Sequence, residues 1–253
     1  MSARFSDVLR PDGRLLVRSA GEWTDETAAA AVELADRRGL PALAHVSDQA
    51  ESERAALARA GFVEARRQAV VAISLERALV ALADASVPAG IQVRSAADVD
   101  PHRLRLLDDE LRQDVPGTSG WRSTPEEFDD DTFADPAFDP RTYLVAVDEA
   151  SGEYLGLVRV WMNERGPRLG LVGVRGDRRR QGLASALLAS ALTAVRATGA
   201  AEVTAEHDLG NEASAALVAG LGVRRVGVQV ELVHDPPRSG TTARRARERS
   251  RVG

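Results

Sequence analysis

The chain has no cysteine and no lysine, and aromatic residues make up only 4% of its 253 residues. The absence of cysteine excludes disulfide bonds, thiolate catalysis and cysteine-ligated metal sites. The absence of lysine excludes a lysine nucleophile or Schiff base, so arginine carries all of the side-chain positive charge. The hydrophobic fraction of 44% is still sufficient for a core built mainly from leucine, valine and alanine.

Long apolar runs are also absent. No stretch is long enough to cross a bilayer, and the first residues, MSARFSDVLR, lack the apolar segment of a signal peptide. We therefore expect a cytoplasmic protein that does not associate with membranes. The net charge of −5 disfavours general nucleic-acid binding, so no nucleic-acid partner is expected. No metal site is predicted.

Composition changes along the chain suggest two units and a tail. Pro88 and Gly90 interrupt the apolar pattern, and residues 81–90 are interpreted as a linker between a unit at 1–80 and a unit at 91–235. Residues 236–253 carry six arginines and one glutamate with little apolar content. We interpret this basic tail as disordered, because such a segment buries too little apolar surface to offset its ordering entropy.

Three consecutive strands are predicted in the second unit, at Arg141–Glu149, Glu153–Asn163 and Pro167–Val174, with connections short enough for an antiparallel meander. A helix to about Thr198, a strand, a second helix and a final strand follow. This order predicts an α/β (α+β) fold with a mixed, mostly antiparallel sheet flanked by helices. Residues 1–80 repeat only the end of this order, at an offset of about 161 residues, which predicts two tandem units with a degenerate first copy.

The stretch GDRRRQGLASALL, from Gly176 to Leu188, joins the third meander strand to the first of these helices. A glycine at a helix start lets a ligand approach the backbone, and the exposed amides of the first turn attract phosphate. Asp177 is a candidate cap for this turn. The spacing fits neither a Walker A loop nor a dinucleotide fingerprint, and an ordinary surface arginine run before a core helix is the alternative interpretation.

A family resemblance favours the phosphate site. Arg179-Arg180-Gln181-Gly182-Leu183-Ala184 resembles the [RQ]-x-x-G-x-[GA] core of the GNAT acetyltransferase superfamily. Further on, Asn211 to Val223 resembles the N-x-x-[AS]-x-x-L segment, and the G-F that closes it, in the same superfamily. The resemblance covers about residues 91–235 and includes the order of helices and strands between the two motifs. The first motif is moderately specific, and the pair at this separation is considerably more so.

The resemblance implies acetyl-CoA, or another acyl-CoA, as the cofactor. By this analogy the backbone of residues 171–174 pairs with the pantetheine arm, amides of residues 180–184 hold the pyrophosphate, and an asparagine contacts the pantetheine region. The predicted cofactor-binding residues are Leu171, Val172, Val174, Arg179, Arg180, Gln181, Gly182, Leu183, Ala184 and Asn211. The implied reaction is direct attack of an amine on the thioester, helped mainly by positioning and an amide-lined oxyanion site.

The chain departs from the family pattern at two catalytic positions. Val218 stands where many members carry a tyrosine that protonates the leaving thiolate, and the strand RLGLVGV lacks the common glutamate. Glu206 and His207 are the candidate bases, on opposite faces of one strand, and Glu164 is a weaker candidate. Each also has an ordinary structural interpretation, as a solvated strand end or a hydrogen-bonded polar residue.

The acceptor is expected to be a primary amine on a small molecule or peptide. Thr124–Asp139 carries seven carboxylates, and an acidic lid there favours a cationic amine, although a solvated helix is the alternative. Trp121 and Trp161 are interpreted as a wall of the same cleft or as core residues. The leading hypothesis is an N-acetyltransferase acting as a monomer or homodimer. The alternative is a CoA-binding regulatory or interaction module with impaired catalysis.

Overall fold

The structure is a computed structural model that describes residues 5–237. The chain divides into two compact units, a smaller one formed by residues up to Ala65 and from Val230 onward, and a larger one formed by Arg66–Gln229. These boundaries fall within two strands, whereas our sequence interpretation placed the division at residues 81–90. Residues 1–4 and 238–253, including most of the predicted tail, lie outside the described residues.

Seven helices and ten strands are found between residues 5 and 237. The helices are α1 Asp25–Arg38, α2 Glu51–Ala60, α3 Leu75–Ala81, α4 Pro101–Arg112, α5 Pro125–Asp130, α6 Leu183–Arg196 and α7 Glu212–Ala219. The strands are β1 Phe5–Leu9, β2 Leu15–Ser19, β3 Ala42–Ser47, β4 Val63–Ser74, β5 Ile91–Ser95, β6 Tyr143–Asp148, β7 Tyr154–Asn163, β8 Gly166–Val174, β9 Glu202–Asp208 and β10 Val223–His234.

The smaller unit has the strand order β1-β2-β3-β10. Strands β1 and β2 form an antiparallel hairpin that the sequence did not predict, and β2 and β3 are parallel, paired at Leu15 with Ala42 and at Leu16 with Leu43. Its core includes Trp23, Leu57 and the alanines of α1 and β3. These small side chains let helix and sheet approach closely.

Helix α1 in this unit has a fully capped start. The Thr24 hydroxyl accepts from the Thr27 backbone N–H, and the Thr27 side chain reaches back to the Thr24 backbone N–H. The Trp23 N–H donates to Glu53 Oε2 at 2.8 Å, and acidic residues occupy the first turn. The Trp23, Thr24 and Thr27 amides at this helix end therefore already have partners within the protein.

The larger unit has the order β4-β9-β8-β7-β6-β5, with β10 beside β4. Neighbours from β5 to β8 are antiparallel, as predicted for the meander, and so are β4 and β9, whereas β8 and β9 are parallel. This confirms the mixed, mostly antiparallel sheet of the predicted fold class.

Helices cover both faces of this sheet. On one face α6 and α3 pack over a core that includes Leu187, Leu192 and Val203. On the other face α4 and α5 pack over a second core that includes Leu104, Phe128 and Leu157. Because side chains alternate along a strand, each strand residue can be assigned to the α6 face or to the α4–α5 face.

Candidate acyl-CoA site and acceptor cleft

The parallel strands β8 and β9 separate along their length. Their register joins Arg168 to Thr204 and Leu169 to Ala205, but β8 continues to Val174 and β9 to Asp208. The backbone of residues 171–174 therefore borders a gap on its β9 side. A peptide-like chain placed in this gap would pair with β8 as an added strand, which is how the pantetheine arm was predicted to bind.

A β-bulge lies where the two strands begin to separate. Arg159 of β7 pairs with Leu171 and the next residue, Val160, pairs with Leu169, so Gly170 is the extra residue of β8. A Cβ atom at Gly170 would lie 2.8 Å from Trp161 Nε1, so no larger residue fits without displacing that ring. A bulge bends its strand, which accounts for β8 diverging from β9 at this point.

The loop after β8 leads into an uncapped helix start. A short 3-10 turn covers Gly176–Arg178, and Arg180 and Gly182 then have left-handed backbones, with φ of 63° and 81°. Helix α6 begins at Leu183 with Gly182 as its N-cap and no side-chain hydrogen bond to the first turn. The proposed Asp177 cap is wrong, because that residue lies in the 3-10 turn, where it pairs with neighbouring arginines.

This helix start has the properties of an anion site. A Cβ atom added to Gly182 would meet no other atom within 4 Å, so the space in front of the first turn is open. Leu183 is buried and anchors the helix, whereas Gln181 and Gly182 are exposed. The first-turn amides and the positive helix end thus face open space beside the gap between β8 and β9, where a pyrophosphate fits.

Arg178 and Arg179 in this loop pair with other protein groups, whereas the first-turn amides of α6 face open space. Arg179 Nε donates to the Val174 carbonyl at 2.9 Å, and its Nη2 hydrogen-bonds to Asp114 just after α4. Arg178 pairs with Asp148 at 3.8 Å. Arg180 is exposed beside the helix start. Arg179 therefore holds the loop against the strand end.

Asn211 lies between β9 and α7, beyond the open end of the gap. Its side-chain Oδ1 accepts from the Ser214 N–H at 3.0 Å and caps α7. Val218 of the same helix is buried and offers no proton to a leaving group. Asn211 therefore has a structural function in addition to its predicted contact with the cofactor.

The two candidate bases lie on opposite faces of β9. Val203 and Ala205 pack in the core beneath α6, so alternation places His207 on the α6 face and Glu206 on the α4–α5 face. Glu206 Oε2 accepts from Arg168 Nη2 at 2.9 Å, whereas His207 Nδ1 lies 3.3 Å from the Asp208 carbonyl. Glu206 therefore shares a face with the segment predicted to line the acceptor cleft.

A buried charge cluster on this face was not predicted from the sequence. Asp108 of α4 is 1% exposed, hydrogen-bonds to Arg112 Nε, and lies 3.8 Å from Arg159 Nη1 of β7. The Tyr143 hydroxyl lies 3.5 Å from the same carboxylate. Burial raises the pKa of Asp108, but the Arg112 and Arg159 guanidinium groups outweigh that effect and hold the pKa below its usual value. The sequence signal for this cluster is LDDELR, in which Asp108 lies four residues before Arg112, the spacing at which side chains pair on a helix.

An arginine guanidinium group lies over each of the two tryptophans proposed for the cleft. Arg112 lies over Trp121 at 4.4 Å from the ring centroid, and Arg159 lies over Trp161 at 4.6 Å. Such contacts contribute about 0.5–2 kcal/mol, more when they are desolvated. The two rings therefore border the charge cluster as cation–π platforms.

The acidic segment combines a buried anchor with exposed carboxylates. Helix α5 spans only residues 125–130 of it, and Phe128 packs into the core of this face. The exposed carboxylates are Glu126, Asp129, Asp130 and Asp131. The segment is therefore the solvated helix of the second interpretation, and an effect of its charge on the acceptor stays a prediction.

The loop between α4 and α5 reaches the end of β9. A Cβ atom on Gly117 would lie 2.3 Å from the Arg66 guanidinium carbon, and Arg66 Nη1 lies 3.7 Å from Asp208 Oδ2. Gly117 also has a φ of 80°, which favours glycine. The loop therefore closes over the same end of the sheet at which β8 and β9 separate.

Two other features, a metal-ligating cluster and a membrane-spanning helix, are not found in the part of the chain that the structure describes. No cluster of three or more potential metal-ligating His, Asp or Glu side chains occurs between residues 5 and 237. Within the same range, no helix combines the length and hydropathy that a membrane span requires.

The separated parallel strands and the open helix start form a gap that ends at a candidate anion site, beside a face that carries charged and aromatic side chains. Residues 106–223 match the family model of the acetyltransferase (GNAT) family. The chain is also 30% identical over 200 residues to a mycothiol acetyltransferase from Clavibacter michiganensis subsp. michiganensis, covering 78% of this chain and 63% of that relative. The chain thus spans less than two thirds of that relative's length.

Solved structures share the fold. A GCN5-related N-acetyltransferase from Sphaerobacter thermophilus superimposes with a TM-score of 0.69 at 22% identity, over 92% of this chain and 76% of that one. A tandem GNAT protein from the clavulanic acid biosynthesis pathway has a TM-score of 0.64 at 17% identity, over 90% of this chain and 76% of that one. Residues 106–223 therefore form a domain of the acetyltransferase (GNAT) family.

Proposed function

We propose that this protein transfers an acetyl group, or another acyl group, from its coenzyme A thioester to a primary amine. The gap between β8 and β9, bordered by the open start of α6, is the observation that carries this proposal. The backbone of residues 171–174 would hold the pantetheine arm, and the amides of residues 180–184 would hold the pyrophosphate. The residues present fit the cofactor, because this helix start is open whereas that of α1 is capped.

The cofactor supplies an activated thioester carbonyl when it is bound. The chain's own contribution is to fix that carbonyl beside the acceptor cleft and to offer β8 amides to the developing oxyanion. Because Val218 replaces a possible proton donor, the thiolate leaves without a protonating side chain at that position. This remains feasible because an ordinary thiol has a pKa of about 8.5.

Glu206 is the proposed proton acceptor for the attacking amine, acting directly or through a water molecule. Its support is its position on the α4–α5 face, next to the separated strands, whereas His207 lies on the α6 face. We expect Glu206→Gln to lower kcat by about 100-fold or more, because a positioned general base contributes about 10²–10⁴-fold. The dissociation constant for acetyl-CoA should stay within about twofold of wild type.

His207→Gln is the matched control, one residue away on the same strand. We expect its kcat to change less than about threefold, and steady-state kinetics with a saturating amine will compare the two variants. If His207→Gln loses activity while Glu206→Gln retains it, the assignment of the base is reversed.

The acceptor is proposed to carry a positive charge, because exposed carboxylates from Glu126 to Asp131 cover the α4–α5 face. The test measures release of free CoA thiol from acetyl-CoA with polyamines, aminoglycosides, amino acids and peptide amines. Turnover with an amine supports the enzyme. Tight acetyl-CoA binding without turnover on any amine would instead indicate a CoA-binding module. The cytoplasmic location and the monomeric or homodimeric state stay predictions.

A further inference from the structure

Arg159 is a buried arginine whose hydrogen-bonding capacity is left unused. The residue is 6% exposed, yet its guanidinium makes no hydrogen bond to any residue between 5 and 237. Its contacts are the Asp108 carboxylate at 3.8 Å, the Trp161 ring at 4.6 Å and the Tyr143 ring at 5.4 Å. A guanidinium has five N–H donors, and the Nε–H of Arg159 is buried without an acceptor, which is costly.

The neighbouring Arg105 shares the unpaired buried Nε, but the terminal nitrogens of Arg105 and the Nε of Arg112 are hydrogen-bonded. Arg105 donates to the Ser123 carbonyl at 2.7 Å and to Asp109 at 3.3 Å. Arg112 hydrogen-bonds to Asp108, and this bond commits the carboxylate chiefly to Arg112. Asp108 therefore offsets the charge of Arg159 across 3.8 Å without satisfying its donors.

The position of Arg159 places these donors near the reaction site. Arg159 pairs with Leu171 across β7 and β8, so it lies one strand from the backbone proposed to hold the pantetheine arm. Its side chain lies on the α4–α5 face, where Trp161 and Tyr143 flank the guanidinium. A planar cation packed against aromatic rings is well suited to bidentate binding of a carboxylate.

We propose that Arg159 binds a carboxylate of the acceptor, so that the substrate is an amine that also bears an acid group. This inference rests on the proposed N-acyltransferase function. Together with the exposed carboxylates of the α5 segment, it defines a zwitterionic acceptor, such as a free amino acid or the terminus of a short peptide. The ammonium end is attracted by the acidic segment, and the carboxylate is fixed by Arg159 beside the two rings.

Asp131 is positioned to assist this selection. Burial raises the pKa of Asp131, and the nearby Arg159 and Arg112 guanidinium groups oppose that rise. The carboxylate of Asp131 therefore lies within electrostatic reach of both arginines, at the exposed rim of the cluster. An incoming ligand thus meets negative charge at the rim and positive charge below it, which orients an acceptor that carries both.

The first test uses the wild-type protein and pairs of acceptors that differ only in the acid group. Free amino acids and short peptides are compared with their C-terminal carboxamides, at pH values that give both amines the same protonation. We expect the acids to have a kcat/KM about 10- to 100-fold higher, since hydrogen bonds to charged groups contribute about 1.5–3 kcal/mol. Equal kcat/KM for acids and amides would overturn the proposal.

The second test removes the guanidinium. Arg159→Gln should raise KM for the acids about 10- to 100-fold and abolish the preference over amides, with KM for acetyl-CoA unchanged. Arg103→Gln is the matched control, because Arg103 also stacks on a ring, Tyr154, at 4.4 Å but is exposed. A preference for acids that survives in Arg159→Gln would contradict the assignment. If Arg159→Gln does not fold, Arg159→Lys, which keeps the charge, is measured in its place.

Calorimetric titration separates this inference from the proposed function. Each acid and its amide are titrated into the wild-type protein in the presence of CoA, which requires no chemistry. Tighter binding of the acid supports the role of Arg159 even if no amine is turned over. If amines are turned over but the acid and its amide bind equally, the proposed function stands and the role assigned to Arg159 is wrong.

Discussion

Gly182→Glu is expected to abolish acetyl-CoA binding while the protein remains folded. The substitution adds a carboxylate to the residue that begins α6, where the first-turn amides face open space. Two unit charges about 4 Å apart repel by about 4 kcal/mol near a protein surface, which corresponds to about a thousandfold loss of affinity. Calorimetric titration with acetyl-CoA measures the loss, and circular dichroism checks the fold.

The helix itself offers a control for backbone strain. Gly199, just beyond the C-terminal end of α6, also has a left-handed backbone, with φ of 89°, and a Cβ atom there meets nothing within 4 Å. Gly199→Glu should impose a similar conformational cost and leave acetyl-CoA affinity unchanged. Undiminished affinity in Gly182→Glu would return the arginine-rich loop to an ordinary helix connection.

Asp108→Asn is expected to lower the free energy of unfolding by about 3–5 kcal/mol, the range for a buried ion pair that loses one partner. The substitution keeps the shape of the side chain but leaves the buried Arg112 and Arg159 without a compensating charge. Urea denaturation at pH 7 measures the difference. Asp129→Asn, on the exposed side of α5, is the control and should change the free energy by no more than about 0.5 kcal/mol.

The effect of Asp108 should also depend on pH in a defined direction. Its folded-state pKa lies below the unfolded value of about 3.9, so its stabilisation is fully present above the unfolded pKa and is lost as pH falls through the folded pKa. The difference between wild type and Asp108→Asn should therefore be constant from about pH 5 to pH 8 and shrink in stronger acid. A difference that grows on acidification would contradict this account of the cluster.

The antiparallel meander and the position of the helix start could be predicted from the sequence. Alternating apolar residues define β6 to β8, and the glycine at position 182 marks the start of α6, whereas the lack of a side-chain cap there was not predicted, because Asp177 was the candidate cap. These features are encoded by short-range periodicity, which a single sequence preserves. The same holds for the opposite faces of Glu206 and His207, since that prediction needs only the alternation of a strand.

Features that depend on contacts distant in sequence could not be predicted. The pairing of Asp108 with Arg159 joins α4 to β7 across fifty intervening residues, and no local pattern encodes it. The hairpin of β1 and β2 was missed because its two strands are short and weakly patterned, although Pro11 and Gly13 mark a turn between them. Arg179 was assigned to the cofactor from the family motif that it opens, whereas its contacts with Val174 and Asp114 appear only in three dimensions.

The capped start of α1 has a consequence for ligand stoichiometry. Strands β2 and β3 are parallel and joined only at Leu15–Ala42 and Leu16–Leu43, much as β8 and β9 are joined at only two positions. The helix that follows β2, however, begins with a capping box, an occupied Trp23 amide and acidic residues in its first turn. Titration should therefore saturate at one equivalent of acetyl-CoA per chain, with no second equivalent bound at the start of α1.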